Sequence, residues 1–155
     1  MKAICGRFRT LIEDNQLSHL LFDKEDKPKH EDAAQRLFFG IASAYCEANG
    51  LDLSPESDAG RGPVDFKVSS GLTAKGVVEI KLTSNGKPLQ GFLKQLPIYQ
   101  NAERAQYGIY LVIDTGKASS TRLLAFRNEV TKAGTNAPEV VWVDATSKPS
   151  ASKAK

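Results

Sequence analysis

The chain has 155 residues, 41% of them apolar and 25% charged, a composition typical of one globular domain that buries its own core. No apolar stretch approaches the roughly 20 residues that span a bilayer, and residues 1–10 lack the apolar core of a secretory signal. Two cysteines and two histidines are too few for a disulfide framework or a zinc cage, so we expect a cytoplasmic protein with free thiols.

The net charge of +3 comes from the C-terminal tail. Residues 145–155 contain Lys148, Lys153 and Lys155 and no acid, which leaves equal numbers of basic and acidic residues in the rest of the chain. Overall charge therefore gives no support for a polyanionic partner. The tail also lacks apolar anchors, so we expect residues 145–155 to be a disordered basic tail.

The predicted elements begin with a helical extension. Residues 1–28 carry a short amphipathic pattern that ends in a charged run and Pro28, which predicts an N-terminal helical extension packed on the main body. From Lys29, apolar residues at three- and four-residue spacing predict a long helix, and Asn49 and Gly50 supply its stop signal.

The rest of the chain predicts strands followed by alternating helices and strands. Period-two alternation predicts three consecutive strands, and a nearly continuous apolar run predicts a central strand covered on both faces. The predicted ranges are strands at 51–56, 63–69 and 76–82, a helix at about 89–104 with a kink or restart at Pro97, a strand at 107–114, a helix at 119–133 and a strand at 139–143. This order predicts an α/β fold, a mixed β-sheet flanked by helices.

Period-two alternation also brings three charged residues together. In strand 63–69 the apolar residues share one face, which leaves Asp65 on the other. In strand 76–82 the same rule leaves Glu79 and Lys81 opposite the apolar residues. The predicted apolar sets are Val64, Phe66 and Val68 in the first strand and Val78, Ile80 and Leu82 in the second. A hairpin-like connection can then place Asp65 beside Glu79 and Lys81.

Two carboxylates and a lysine at the mouth of a sheet are the parts of a magnesium-dependent phosphodiesterase site. Mg²⁺ takes oxygen ligands and needs only one or two carboxylates, with water and phosphate completing its octahedron. The metal lowers the pKa of bound water and stabilises charge on the phosphate. A nearby lysine can orient the attacking water or neutralise the transition state.

Asp65 followed by Glu79-Ile80-Lys81 resembles the motif of the PD-(D/E)XK nuclease superfamily, whose members share a restriction-endonuclease-like fold. The proline that usually precedes the aspartate stands one place earlier here, as Pro63. The predicted αβββαβ order is similar to the core of that superfamily, and the resemblance covers about residues 29–114.

Two further residues extend the resemblance. Glu31 opens the long helix, where many members place an additional metal-site acid. Gln95 lies in a segment, residues 94–99, that looks like the glutamine-bearing helix of several branches.

The resemblance implies that residues 29–144 form a nuclease-like domain that hydrolyses nucleic-acid phosphodiesters. The expected cofactor is Mg²⁺, with Mn²⁺ as a substitute, and the expected partner is DNA. We expect the chain to be an endonuclease of restriction, repair or phage-defence type that acts as a homodimer or larger assembly. The implied catalytic residues are Asp65, Glu79, Lys81 and Gln95, and the implied metal ligands are Glu31, Asp65 and Glu79. Near this site, Arg61, Lys67 and Lys94 are candidate contacts to the nucleic-acid backbone.

Each residue also has a structural interpretation. A Glu-x-Lys pair on a strand is often a solvated face with a cross-strand ion pair. Glu31 is also a first-turn acid favoured by the helix dipole, Gln95 could cap a local network, and the lysines could be ordinary solvated side chains. At the level of the whole chain, the alternative is a non-catalytic nucleic-acid-binding or assembly module on the same fold.

Overall fold

The chain forms three layers, with a five-stranded sheet between two layers of helices. The computed structural model describes residues 1–58, 60, 63–85, 91–134 and 137–146. The elements follow the predicted order, and the α/β fold with a mixed sheet flanked by helices is confirmed.

Four α-helices and five strands are found in the described residues. A 3₁₀ helix, Leu17–Leu21, follows the first α-helix, and a π-helical turn, Gly91–Gln95, precedes the third. The helices are α1 (Lys2–Glu13), α2 (Glu31–Ala48), α3 (Leu96–Ala102) and α4 (Ser120–Ala133), and the strands are β1 (Asp52–Asp58), β2 (Pro63–Ser70), β3 (Ala74–Leu82), β4 (Tyr107–Asp114) and β5 (Glu139–Asp144).

The strands lie in the sheet in chain order, β1-β2-β3-β4-β5. β1, β2 and β3 pair antiparallel, whereas β3, β4 and β5 pair parallel. β3 is thus the strand at which the sheet changes from antiparallel to parallel. The carboxyl ends of β3, β4 and β5 consequently meet at one edge.

Each face of the sheet has its own apolar core. On one face, α1 and α2 pack on alternate residues of β3, such as Val78 and Ile80. On the other face, the segment 91–102 and α4 pack on the intervening side chains, including Val77 and Tyr110. Because α1 supplies four fully buried side chains to the first core, the predicted N-terminal extension is an integral part of that layer.

The regular alternation predicted for β2 breaks at Asp65. Phe66 and Val68 belong to the first core, but Val64 belongs to the second. The prediction that all three share one face is therefore wrong for Val64. The reason is the pairing of the strand: β2 pairs with β3 only between Phe66↔Val78 and Ser70↔Ala74, so residues 63–65 can twist away from β3.

Two predicted boundaries move slightly. The predicted helix at 89–104 is α-helical only from Leu96, with Pro97 in its first turn, where the missing N–H costs nothing. At the other end, Ala145 is buried, and its N–H donates to the carbonyl of Asp114 at 2.9 Å. The fold therefore extends past the predicted start of the tail, and residues 147–155 lie outside the described residues.

None of the helices in the described part of the chain has both the length and the hydropathy that crossing a membrane requires.

Candidate functional site

The three residues predicted to share a site lie together at the edge where β2 separates from β3. Asp65 directly precedes Phe66, whose pairing with Val78 is the first β2–β3 rung along β2. The Oδ2 of Asp65 accepts the N–H of Ile80 at 2.6 Å. A carboxylate therefore occupies the place of a strand partner, which fixes Asp65 directly beside β3. Its other oxygen, Oδ1, accepts the side-chain amide of Gln35 from α2 at 2.8 Å.

Glu79 is the buried acid of the site. It is 3% exposed, and it lies opposite Tyr110 in the parallel β3–β4 pair, on the face covered by the segment 91–102. One oxygen, Oε1, lies 3.0 Å from the Nζ of Lys81. The other, Oε2, is buried without a hydrogen-bond partner among the described residues. A buried carboxylate oxygen without a donor is costly, so this atom calls for an explanation.

Lys81 lies between two carboxylates. Its Nζ is 2.7 Å from Oε1 of Glu31 and 3.0 Å from Oε1 of Glu79. The Glu31 carboxylate reaches this position because α2 begins beside the end of β3; its Oε2 accepts the N–H of Leu82 at 3.2 Å and the side-chain amide of Asn85. We call Glu31, Asp65, Glu79 and Lys81 the acid–lysine cluster.

The electrostatics of the cluster follow from burial and crowding. Burial first, and then the Glu79 carboxylate, raise the pKa of Asp65 to about 7. Burial likewise raises the pKa of Glu79, although Lys81 opposes that shift. Burial alone would lower the pKa of Lys81, but the neighbouring carboxylates, led by Glu79, outweigh it and raise the pKa. Three acids share one permanent cation here, so Asp65 keeps its proton well above the pH range in which an aspartate ordinarily ionises.

Only some of the carboxylates in the cluster are placed so that they could bind a metal ion. Within the described ranges, no three His, Cys, Asp or Glu side chains are placed so that they could hold a metal ion together. Asp65 and Glu79 are the acids on the two adjoining strands, whereas Glu31 is engaged by Lys81 and by two amide donors. A pair of carboxylates is still sufficient for Mg²⁺, which keeps most of its waters.

The remaining predicted residues lie elsewhere or outside the described residues. Gln95 and Lys94 are exposed in the π-helical turn, and among the described residues Gln95 makes no hydrogen bond to the cluster. Lys67 is bound inside the fold, 3.1 Å from Glu103 and 2.9 Å from the hydroxyl of Ser57. Arg61 falls outside the described residues.

Two residues of the site were not predicted. Gln35 holds Asp65, and it lies one helical turn after Glu31, so the i,i+4 spacing on α2 was an available signal. Asn85 holds Glu31, whereas in the sequence Asn85 followed by Gly86 indicates only a turn. No pattern in the sequence joins Asn85 to a helix that starts 54 positions earlier.

These observations define the class of the molecule: an α/β protein with a buried acid–lysine cluster where its sheet changes direction. A sequence model of a protein family, described as a domain of unknown function, DUF8371, matches residues 1–117. The chain belongs to this family, and the matched region contains the whole acid–lysine cluster. No curated protein sequence matches the chain.

Proposed function

We propose that this chain is a Mg²⁺-dependent nuclease of PD-(D/E)XK type that hydrolyses phosphodiester bonds in DNA. The observation that carries the proposal is the buried Oε2 of Glu79, which lacks a donor among the described residues and lies in a cluster with Asp65 and Lys81. A bound cation would satisfy this oxygen.

The donor set fits Mg²⁺. Asp65 and Glu79 would supply carboxylate oxygens from two neighbouring strands, a number of acids that leaves room for water and a phosphate. When bound, the ion would lower the pKa of a water and stabilise charge on the phosphate. Mn²⁺ prefers the same oxygen donors and would substitute.

The other residues of the cluster hold or orient these two. Lys81 is charged throughout the neutral range because its pKa is raised, so it acts as a positive charge that orients the attacking water or stabilises the transition state. Glu31 fixes the Lys81 ammonium from α2, and Gln35 fixes Asp65. In this proposal Gln35 is the glutamine that supports the cluster, whereas the resemblance implied Gln95.

A second candidate is a non-catalytic nucleic-acid-binding or assembly module. It is favoured by the contacts that Asp65 and Lys81 already make within the protein. Asp65 accepts two hydrogen bonds, and Lys81 contacts two carboxylates. In that case the cluster is a strut joining α2 to β3, and added divalent metal has no effect on it.

Metal-dependent thermal stability distinguishes the two functions. Saturating Mg²⁺ or Mn²⁺ should raise the melting temperature of the wild type relative to EDTA, since a ligand that binds only the folded state stabilises it. Glu79→Gln should abolish this shift, while the matched surface change Glu129→Gln, in α4, should keep it. A full metal-induced shift in Glu79→Gln, or none in the wild type, would contradict the metal site.

A further inference from the structure

A cavity of about 440 Å³ opens beside the cluster, between α2 and the strands β1 and β2. Its walls are mainly apolar, formed by proline, valine and phenylalanine side chains, and its rim is polar. The lining includes Gln35, Arg36, Phe39, Asp65 and Phe66. A cavity of this size and character accommodates a small organic group with an apolar face.

Phe39 gives the cavity an aromatic surface. Its ring lies almost parallel to that of Phe66, with centroids 6.4 Å apart and an interplanar angle of 22°. Phe66 is buried, whereas Phe39 remains 41% exposed. A partly exposed aromatic ring beside a second, nearly parallel ring can stack on another planar ring.

The cavity is continuous with the acid–lysine cluster. Asp65 lines it, and so does Gln35, the residue that holds Asp65. A ring bound in the cavity would therefore place the groups attached to it near the Asp65 carboxylate. The phosphodiester of a nucleotide bound in this way would lie at the cluster.

The rim supplies a cation. The Arg36 side chain is 83% exposed, and its contact with Asp32, one turn earlier on α2, is long, at 3.4 Å. A surface contact of this kind contributes little stability. The guanidinium can therefore turn to a phosphate group.

We propose that this cavity binds an unpaired nucleobase of single-stranded DNA, stacked on Phe39, with Arg36 on an adjoining phosphate. The inference rests on the proposed nuclease function and narrows it to substrates with unpaired nucleotides. A paired base can enter only after it is unpaired and unstacked from the duplex, which costs free energy and disfavours duplex substrates. We commit to DNA because the proposed nuclease function, on which this inference rests, takes DNA as its substrate.

Binding measured in EDTA tests the inference without any cleavage. We would titrate fluorescein-labelled single-stranded DNA, the same sequence as a duplex, as RNA and with abasic sites, and follow fluorescence anisotropy. The wild type should bind single-stranded DNA most tightly. Phe39→Ala and Phe39→Leu should weaken that Kd by roughly 5- to 150-fold, whereas Phe39→Trp should retain it. Tyr107→Ala, an exposed aromatic at the far end of β4, is the matched control and should bind like the wild type. Melting temperatures establish that each variant folds.

Four outcomes would overturn the inference. Three concern affinity: unchanged binding by folded Phe39→Ala and Phe39→Leu, equal affinity for the abasic strand, or equal affinity for the duplex. The fourth is that the chain associates with itself through Phe39, so that Phe39→Ala abolishes this self-association and leaves DNA binding unchanged. RNA bound as tightly as DNA would overturn the commitment to DNA. Preserved base-dependent binding without metal-dependent cleavage would refute the nuclease proposal and leave the cavity assignment intact. The converse, Mg²⁺-dependent cleavage that is equal in wild type and Phe39→Ala, would refute only the cavity assignment.

Discussion

At the scale of single residues, the cluster is a set of three acids held around one ammonium group. Lys81 is largely buried, and its ammonium group contacts the carboxylates of both Glu31 and Glu79. Removing any one of them changes both the chemistry and the stability of the site. Variants at these positions therefore need an activity readout and a stability readout side by side.

Lys81→Ala should lower Mg²⁺-dependent cleavage by about 100-fold or more, because the charge that orients the water or stabilises the transition state is lost. It should also lower the free energy of unfolding, by on the order of 2 kcal/mol, because two buried carboxylates lose their cation. Lys81→Arg should fail in cleavage too, since a planar guanidinium cannot replace a compact ammonium.

Lys75→Ala, at the opposite end of the same strand, is the matched control for the Lys81 variants and should keep activity. Initial rates on a labelled DNA and chemical denaturation measure the two effects. Undiminished cleavage by Lys81→Ala would remove this lysine from the mechanism.

Glu31→Gln separates a positioning role from a metal-binding role. The Glu31 carboxylate accepts hydrogen bonds through both oxygens, and the glutamine amide can accept through only one. If Glu31 positions Lys81, the maximal cleavage rate should fall about 10-fold while the Mg²⁺ concentration for half-maximal rate stays constant. A several-fold rise in that concentration would instead assign Glu31 to the metal, and a normal rate with only lower stability would make it a helix-start acid.

Asp65→Asn should stabilise the metal-free protein at neutral pH, by about 1 kcal/mol or more, because the neutral amide removes a buried charge and its repulsion with Glu79. The pKa of Asp65 is about 7 in the folded state against 3.8 ordinarily, so between these values the folded state binds more protons than the unfolded state. Stability of the wild type therefore falls as pH rises from about 4 to about 7. The carboxamide of the variant would still accept the Ile80 N–H through its oxygen, and its NH₂ group would donate to a flipped Gln35 amide.

Thermal melts in EDTA across pH 4–8 measure this effect. The advantage of Asp65→Asn should be absent near pH 4, grow up to about pH 7 and then level off. The same variant should lose most of the stabilisation that Mg²⁺ gives the wild type. A lower melting temperature in EDTA together with a full metal-induced shift would make Asp65 a structural strut.

Sequence patterns predicted the side of the sheet for Glu79 and Lys81 because alternation along a strand is a local property. They could not predict how Asp65 is held, because its Oδ2 bond to Ile80 arises where two strands part. The same parting moved Val64 into the second core. Where two strands separate, the alternation of apolar and polar residues does not predict on which face of the sheet a residue lies.

At the scale of elements, α3 is tied to the sheet by a buried polar contact. Glu103 follows α3 and is 8% exposed; its carboxylate accepts from Ser57 on β1 at 2.6 Å and pairs with Lys67 on β2. The sequence suggested Lys67 as a DNA contact, since nothing local reveals a partner 36 positions away. Its position instead indicates a role in docking α3 over Glu79.

Lys67→Ala should therefore destabilise the fold, by roughly 2 kcal/mol, since it leaves the Glu103 carboxylate without its cation. Burial raises the pKa of Glu103, but Ser57 and Lys67 outweigh this and lower it from its ordinary 4.5. The contact between Glu103 and Lys67 thus stabilises the fold fully at pH values above the ordinary pKa of a glutamate. This stabilisation is lost as the pH falls through the lowered pKa of Glu103. Lys67→Ala should flatten this acid dependence.

Denaturation curves at pH 3–7 measure the effect, with Lys132→Ala as control, since Lys132 pairs with Glu129 on the exposed surface of α4 and contributes little. Unchanged stability together with a large loss of DNA affinity in Lys67→Ala would restore the original interpretation of Lys67 as a backbone contact.

At the scale of the whole molecule, the acid–lysine cluster is buried at one edge of the sheet, and residues 1–144 carry equal numbers of basic and acidic side chains. The excess of +3 comes from lysines at positions 148–155, so long-range attraction to DNA is weak. In the proposed nuclease function, substrate recognition would then come from the site itself, through the metal, the cluster and the cavity beside it. On a duplex that contains unpaired nucleotides, cleavage of both strands by one small site would call for two copies, and we propose a homodimer for that reaction.

The most direct test of the proposed nuclease function is a cleavage assay with the full chain. Plasmid, linear duplex, single-stranded DNA and RNA are incubated with Mg²⁺, Mn²⁺ or EDTA, with wild type and Glu79→Gln purified in parallel. We expect cleavage of DNA by the wild type in Mg²⁺ and Mn²⁺, none in EDTA, and none by Glu79→Gln in any condition. No cleavage of any substrate by folded, metal-saturated wild type, or equal cleavage by Glu79→Gln, would contradict the proposal.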